Sequence, residues 1–170
     1  MSAPDTDVSR DLPDIELGPL LRDADYEYLA IDKKTGPVFL SDLKDRVIIF
    51  EIYSMYCPHC QSGAENVNLL WKKIESDPAL NKTVTMIGIG NKNSEFEVDL
   101  FRQRFSVPFP LIPDKNRAIT KELMREPSGA PYFMVVWGEG SGRSVSLLAQ
   151  KGEIKEINAF FMELKQMFTG

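Results

Sequence analysis

Cys57 and Cys60 are the only cysteines of this 170-residue chain, and its only histidine, His59, lies between them. Two thiols three positions apart, where an apolar strand gives way to a helix, describe a redox dithiol. A zinc site would have to complete its four ligands from carboxylates or the single His, because there is no third thiol. The expectation is therefore a dithiol that needs no metal and no cofactor beyond its own Cys57–Cys60 disulfide. The bland alternative is a pair of inert buried cysteines.

The spacing assigns roles. Cys57 precedes the predicted helix, where free backbone N–H groups and the positive end of the helix dipole favour a thiolate. Cys60 lies one turn inside. Cys57 is then the attacking sulfur and Cys60 the one that resolves the mixed disulfide. Pro58 fits the first turn of that helix, where its missing N–H costs nothing. A donor or positive charge on His59, beside Cys57, stabilises the thiolate and makes the disulfide more oxidising. Glu51 is the only charge in the strand before the motif. Period-two alternation puts it on the side of Tyr53, near where Cys60 should pack, so a buried Glu51 carboxylate can serve as the base for the Cys60 thiol. Met55 and Tyr56, next to the motif, are candidates for a substrate-facing patch.

These residues need a scaffold. Residues 1–18, rich in Asp and Pro, read as a flexible arm ahead of one domain spanning 19–170. Tyr26 to Ile31 reads as a strand, Asp32 to Pro37 as a turn, and Val38 to Leu40 as a short returning strand. Val47 to Tyr53 is apolar throughout except for Glu51, as expected of a strand covered on both faces. A helix is predicted from Pro58 to about Ser76, with Ala64, Val67, Trp71 and Ile74 as its apolar stripe. Val84 to Gly90 is the next strand, and Ser94-Glu95-Phe96-Glu97 is a capping box that opens a helix carrying Val98, Phe101 and Phe105. Three prolines make residues 107–114 extended, and Asp114 is placed to cap a short helix. The strand Tyr132 to Trp137, a glycine-rich turn, the strand Ser144 to Gln150 and a helix from Glu153 to about Phe168 complete the chain. Alternating strands and helices ending in a hairpin and helix predict an α/β protein with a mixed sheet.

That order, with Cys57-Pro58-His59-Cys60 after the central strand, resembles the thioredoxin fold over about residues 20–168. The extra strand pair before the central strand, the Leu40-Ser41-Asp42-Leu43-Lys44 entry and the helix inserted around 94–105 resemble its TlpA/ResA-type branch, as does Phe109-Pro110-Leu111-Ile112-Pro113-Asp114. The resemblance implies a mixed central sheet flanked by helices, with an N-terminal strand extension and an inserted helix. It also implies a nucleophilic Cys57 and a buried acid at Glu51. Pro131 matches the cis-proline of the fold, which implies that the Ala130 backbone is offered to an extended substrate near Cys57. Cys-Pro-His-Cys is the motif of DsbA-type oxidases. Gly63 departs from the ResA-type reductases, which carry a functional Glu there, and this counts toward the oxidising reading.

Three function classes follow. The first is a thiol–disulfide oxidoreductase, oxidising or a dedicated reductase, that acts on protein thiols and disulfides and is reset by a redox partner protein. The second is a binding module in which the dithiol is only a switch. The third is a thiol peroxidase, suggested by the Phe109-Pro110-Leu111-Ile112 stretch but lacking the proline that chemistry needs at position 50. The net charge of −5 argues against nucleic acid as a partner. No apolar run approaches the roughly 18 residues of a membrane span. Cysteine use confined to the motif fits a periplasmic or other extracytoplasmic setting, with a cytoplasmic one as the alternative.

Overall fold

The computed structural model describes residues 10–33, 36–43, 46–124, 129–137 and 143–169. Its centre is β4 (Val47–Tyr53), all seven residues of which are buried. Around it run β1 (Arg10–Leu12), β2 (Glu16–Gly18), α1 (Asp23–Tyr28), β3 (Val38–Phe39) and a single 3-10 turn at Leu40–Asp42. After β4 come α2 (Pro58–Ser76), β5 (Val84–Asn91), α3 (Glu95–Phe105), β6 (Leu111–Asp114) and α4 (Ala118–Leu123). The chain ends with β7 (Tyr132–Trp137), β8 (Arg143–Lys151) and α5 (Ile157–Thr169). The main sheet has six strands in the order β1-β8-β7-β4-β5-β6, and β2 pairs with β3 in a separate ribbon. The pairings β4–β5 and β5–β6 are parallel, whereas β4–β7, β7–β8 and β1–β8 are antiparallel. This is the mixed α/β thioredoxin-like architecture that the sequence predicts.

Alternation along β4 divides the core. Val47, Ile49 and Tyr53 join the cluster formed with α2, α3 and α5, including Cys60, Val67, Leu70 and Leu164. Ile48, Phe50 and Ile52 join the opposite cluster, which holds Leu17, Leu40, Ile119 and Leu123. Glu51, in phase with Ile49 and Tyr53, therefore belongs to the face that α2 covers.

Three expectations are corrected. The arm predicted to reach residue 18 gives way to structure from residue 10: β1 pairs with β8, β2 pairs with β3, and Leu12, Ile15 and Leu17 are buried. Residues 1–9 lie outside the described residues. Asp and Pro suggested a solvated segment, but the apolar residues between them bury enough surface to hold it. The strand expected over residues 26–31 is instead α1 and its exit. Asp25 is buried and paired with the Arg22 guanidinium at 2.5 Å, and the Met86 backbone N–H donates to the Tyr28 hydroxyl at 2.9 Å. Tyr26 and Leu29, three apart, face the core, so the helical period prevails over the Tyr-Glu-Tyr alternation. The strand partner of Val38–Phe39 is thus β2, not residues 26–31. Finally, α5 begins at Ile157 rather than at Glu153. Ile154 is buried ahead of the helix, in the loop that follows β8.

The local signals for the other helices are realised. Ser94 Oγ accepts from the Glu97 N–H at 3.3 Å, and the Glu97 carboxylate accepts from the Ser94 N–H at 2.9 Å. The Asp114 carboxylate accepts the backbone N–H groups of Ile119 and Thr120 at 3.1 and 2.7 Å, securing the start of α4. The turn expected over residues 138–142 lies outside the described residues.

Candidate active site

Strand β4 delivers the chain to the surface at Ser54, and α2 carries it back beneath the site. Cys57 is the N-cap of α2, with Pro58 as the first helical residue. Its sulfur accepts the Cys60 backbone N–H at 3.3 Å. The Cys57 thiol also donates to the Ala130 carbonyl at 3.3 Å, across the Ala130–Pro131 bond, which is cis. Both thiols are free, Cys57 half-buried and Cys60 buried. The sequence order of exposure therefore holds: Cys57 is the sulfur a partner can reach, and Cys60 faces the core.

The loop before Cys57 is held on two sides. The Asn93 side-chain oxygen accepts the Met55 N–H at 2.9 Å, and the Gln61 amide donates to the Met55 carbonyl at 2.6 Å. Met55 is half-buried against the core cluster, so of the two expected surface residues only Tyr56 stands clear, 68% exposed. The Tyr56 hydroxyl bonds the Glu97 carboxylate at the start of α3, which holds that carboxylate below its ordinary range.

Under the helix, burial pushes the Glu51 carboxyl up from 4.5 to about 8. The Cys60 thiol is pushed up as well, first by burial, then by its hydrogen bond to Cys57, and further by the Cys57 and Glu51 charges. Glu51 and Cys60 are thus within electrostatic reach of each other on one buried face. A carboxyl that titrates near neutrality beside a thiol that resists ionisation can exchange a proton with it. Tyr53, fully buried in the same strand, has its hydroxyl pushed up by burial and then by Glu51.

On the outer side of α2, His59 is 74% exposed, and its Nδ1 lies 3.3 Å from Oε2 of Glu153. The other carboxylate oxygen accepts the Ser62 hydroxyl at 2.6 Å. The Ser62 hydrogen bond first, and His59 after it, hold the Glu153 carboxyl below its ordinary range. Sequence reasoning missed Glu153, which is 94 residues from His59. The one available signal is Gly63, whose absent side chain leaves the room that Glu153 occupies: a Cβ at Gly63 would stand 3.2 Å from Glu153 Cγ. The room at Gly63 is thus taken by a carboxylate arriving from the β8–α5 loop. Among the described residues, no group of three or more His, Cys, Asp and Glu is placed to hold a metal ion.

The AhpC/TSA family matches residues 8–157, most of the chain. The chain belongs to the AhpC/TSA family. No curated protein matches its sequence. Solved structures share the fold of this AhpC/TSA chain at low identity. The thioredoxin domain of a thiol-disulfide oxidoreductase from Bacteroides vulgatus superposes with a TM-score of 0.66 at 14% identity, covering 95% of this chain and 97% of that one. A thioredoxin-family thiol:disulfide interchange protein from Chlorobium tepidum gives 0.63 at 18%, covering 100% and 99%. A secreted disulfide oxidoreductase from Mycobacterium tuberculosis gives 0.58 at 15%, covering 76% and 88%. In this AhpC/TSA chain, a thioredoxin-like fold with Cys-x-x-Cys at the head of α2 is the machinery of a thiol–disulfide oxidoreductase.

Proposed function

We propose that the chain is an extracytoplasmic thiol–disulfide oxidoreductase whose Cys57–Cys60 disulfide oxidises dithiols of protein substrates. The observation that carries this reading is the Cys57 sulfur at the α2 N-cap, accepting the Cys60 N–H and facing the Ala130 carbonyl. Stabilising a thiolate there stabilises the reduced protein, so the disulfide becomes the better oxidant. Extracytoplasmic placement draws on the secreted Mycobacterium tuberculosis relative in fold and on the confinement of both cysteines to the site.

In the proposed cycle, a substrate thiolate attacks Cys57 Sγ and the Cys57–Cys60 bond breaks. The electron pair passes to Cys60, and the protonated Glu51 carboxyl supplies the proton. The second substrate thiol, giving its proton to solvent, attacks the substrate sulfur of the mixed disulfide and releases Cys57 as a thiolate. Two electrons have moved from the substrate dithiol to the protein, and a partner protein's disulfide resets the site by the reverse steps. The backbone around Ala130, whose carbonyl faces the Cys57 thiol, with the exposed Tyr56 ring, is where an extended substrate would lie. Peroxide chemistry is not favoured, since Phe50, where a loop proline would be needed, is buried within β4.

A second reading, a reductase of dedicated partners, is favoured by one observation: the Glu153 carboxylate sets a negative charge on the dithiol's own helix face. The reduction potential measured against glutathione decides between them. A value near those of disulfide isomerase or DsbA, about −180 to −120 mV, is expected, and one as low as thioredoxin's, about −270 mV, overturns the oxidising reading. No exchange at all with a reduced dithiol peptide would leave only a redox-switch binding module.

A further inference from the structure

We propose that Glu153 is a positioning residue of the dithiol site, holding the His59 imidazole with its Nδ1 proton on the carboxylate and its Nε2 free for proton exchange. The inference rests on reading residues 57–60 as the redox site. Three contacts place the carboxylate: Ser62 Oγ donates to Oε1 at 2.6 Å, His59 Nδ1 lies 3.3 Å from Oε2, and the Gln150 amide donates to the Glu153 backbone carbonyl at 3.0 Å. The side chain is 19% exposed although it comes from a loop, because it lies down over Gly63. Gly63 is well inside the 19-residue helix α2, where glycine weakens the helix. A Cβ there would meet Glu153 Cγ at 3.2 Å and Oε1 at 3.3 Å, so the glycine makes the carboxylate's seat.

The chemistry of the pair sets the tautomer. An ionised carboxylate only accepts, so the ring nitrogen facing it must carry the hydrogen. The partner of one imidazole nitrogen decides which nitrogen is protonated, and here the neutral ring is left with its lone pair on Nε2. The ring is 74% exposed, so that nitrogen is open to an arriving thiol. Nε2 can take that thiol's proton, giving a substrate thiolate and an imidazolium beside Glu153. Exposed ion pairs add little to stability, so the contact's value is orientation. Lys155 is the other cation acting on Glu153, and it acts only through space.

The test uses the lone histidine, which gives one pair of imidazole 15N resonances. In the full-length reduced protein, at a pH where the ring is neutral, the wild type is expected to show a protonated Nδ1 and an unprotonated Nε2. Glu153→Ala should shift the ring toward the Nε2–H form and slow exchange with a reduced dithiol peptide several-fold. Gly63→Ala leaves His59 and Glu153 themselves in place and raises helix propensity; by crowding the carboxylate it should shift the tautomer in the same direction. A wild-type 15N pattern in either variant, or an unchanged exchange rate once the tautomer has moved, overturns the proposal. If the wild type itself exchanges nothing, the functional reading fails while the tautomer result still stands.

Discussion

Replacing Glu51 by Gln keeps the shape of the buried side chain and removes its titration. Burial raises the folded-state carboxyl from 4.5 to about 8, and no charge partner offsets that rise. An unfolded Glu51 ionises near its ordinary value, so between about pH 4.5 and 8 the folded protein binds the extra proton. Stability must therefore fall as pH rises through that window, the reverse of an ordinary salt-bridged acid. At about 1.4 kcal/mol per pH unit, the linkage amounts to roughly 1 kcal/mol at pH 5 and roughly 3 at pH 7, as order-of-magnitude figures. All other groups are shared by the two proteins and cancel in the difference. Urea denaturation of reduced wild type and Glu51→Gln at pH 5, 6, 7 and 8 reads this directly. The variant is expected to gain on the wild type by about 2 kcal/mol between pH 5 and 7. A difference that stays constant with pH would show that Glu51 does not titrate in the window, and the proton exchange assigned to it with Cys60 would go with it. In stopped-flow traces the same variant should slow the resetting step, in which Cys60 displaces the partner protein from its mixed disulfide with Cys57, more than the step in which Cys57 attacks that partner's disulfide.

In the reduced protein at neutral pH, Cys57 should be alkylated before Cys60, since Cys57 is half-buried at the N-cap and Cys60 is 3% exposed; mass spectrometry of a time course checks the order. His59→Pro should make the couple more reducing by about 20–60 mV, the size of roughly 1–3 kcal/mol of lost thiolate stabilisation for two electrons, as read against glutathione. Gly90→Ala should cost about 1–3 kcal/mol in urea denaturation, because a Cβ there would stand 2.8 Å from Val98 Cγ2 and 3.2 Å from the Tyr53 hydroxyl.

Much of the fold was legible because its signals are local. The Ser94–Glu97 box, Pro58 at the head of α2 and the apolar run of β4 each need only a few neighbouring residues to be read. The dithiol was legible for the same reason, and Glu51 could be set on the Cys60 side because alternation along β4 puts it in phase with Tyr53. Where the reading failed, two local patterns competed or the partner was distant. Tyr26 to Ile31 fits a strand by alternation and a helix by the spacing of Tyr26 and Leu29, and only the buried Asp25–Arg22 pair decides. The segment at 10–18 reads as part of an arm because its acids and Pro13 outweigh Leu12, Ile15 and Leu17, whose burial depends on strands far along the chain. Glu153 looked like the start of a helix. Its place beside His59 and Ser62 is a tertiary fact, which the sequence registers only as a glycine in a helix.

The margins of the sheet bear on how such a protein handles its clients. On the proposed function the substrates are dithiol chains not yet locked into their folds, and chains of that kind readily add themselves to an open strand. Here β1 lies along β8 at Arg143–Val145, and at the other margin β6 carries Pro113, which has no N–H to offer a guest. A visiting polypeptide is thus turned away from the start of β8 and from part of the β6 rim. The Ala130 backbone lies against the Cys57 sulfur, so on the proposed function capture and chemistry fall at the same place. Cutting the chain back past Leu12 would bare the start of β8, and on the proposed function that would add an unproductive place to bind clients.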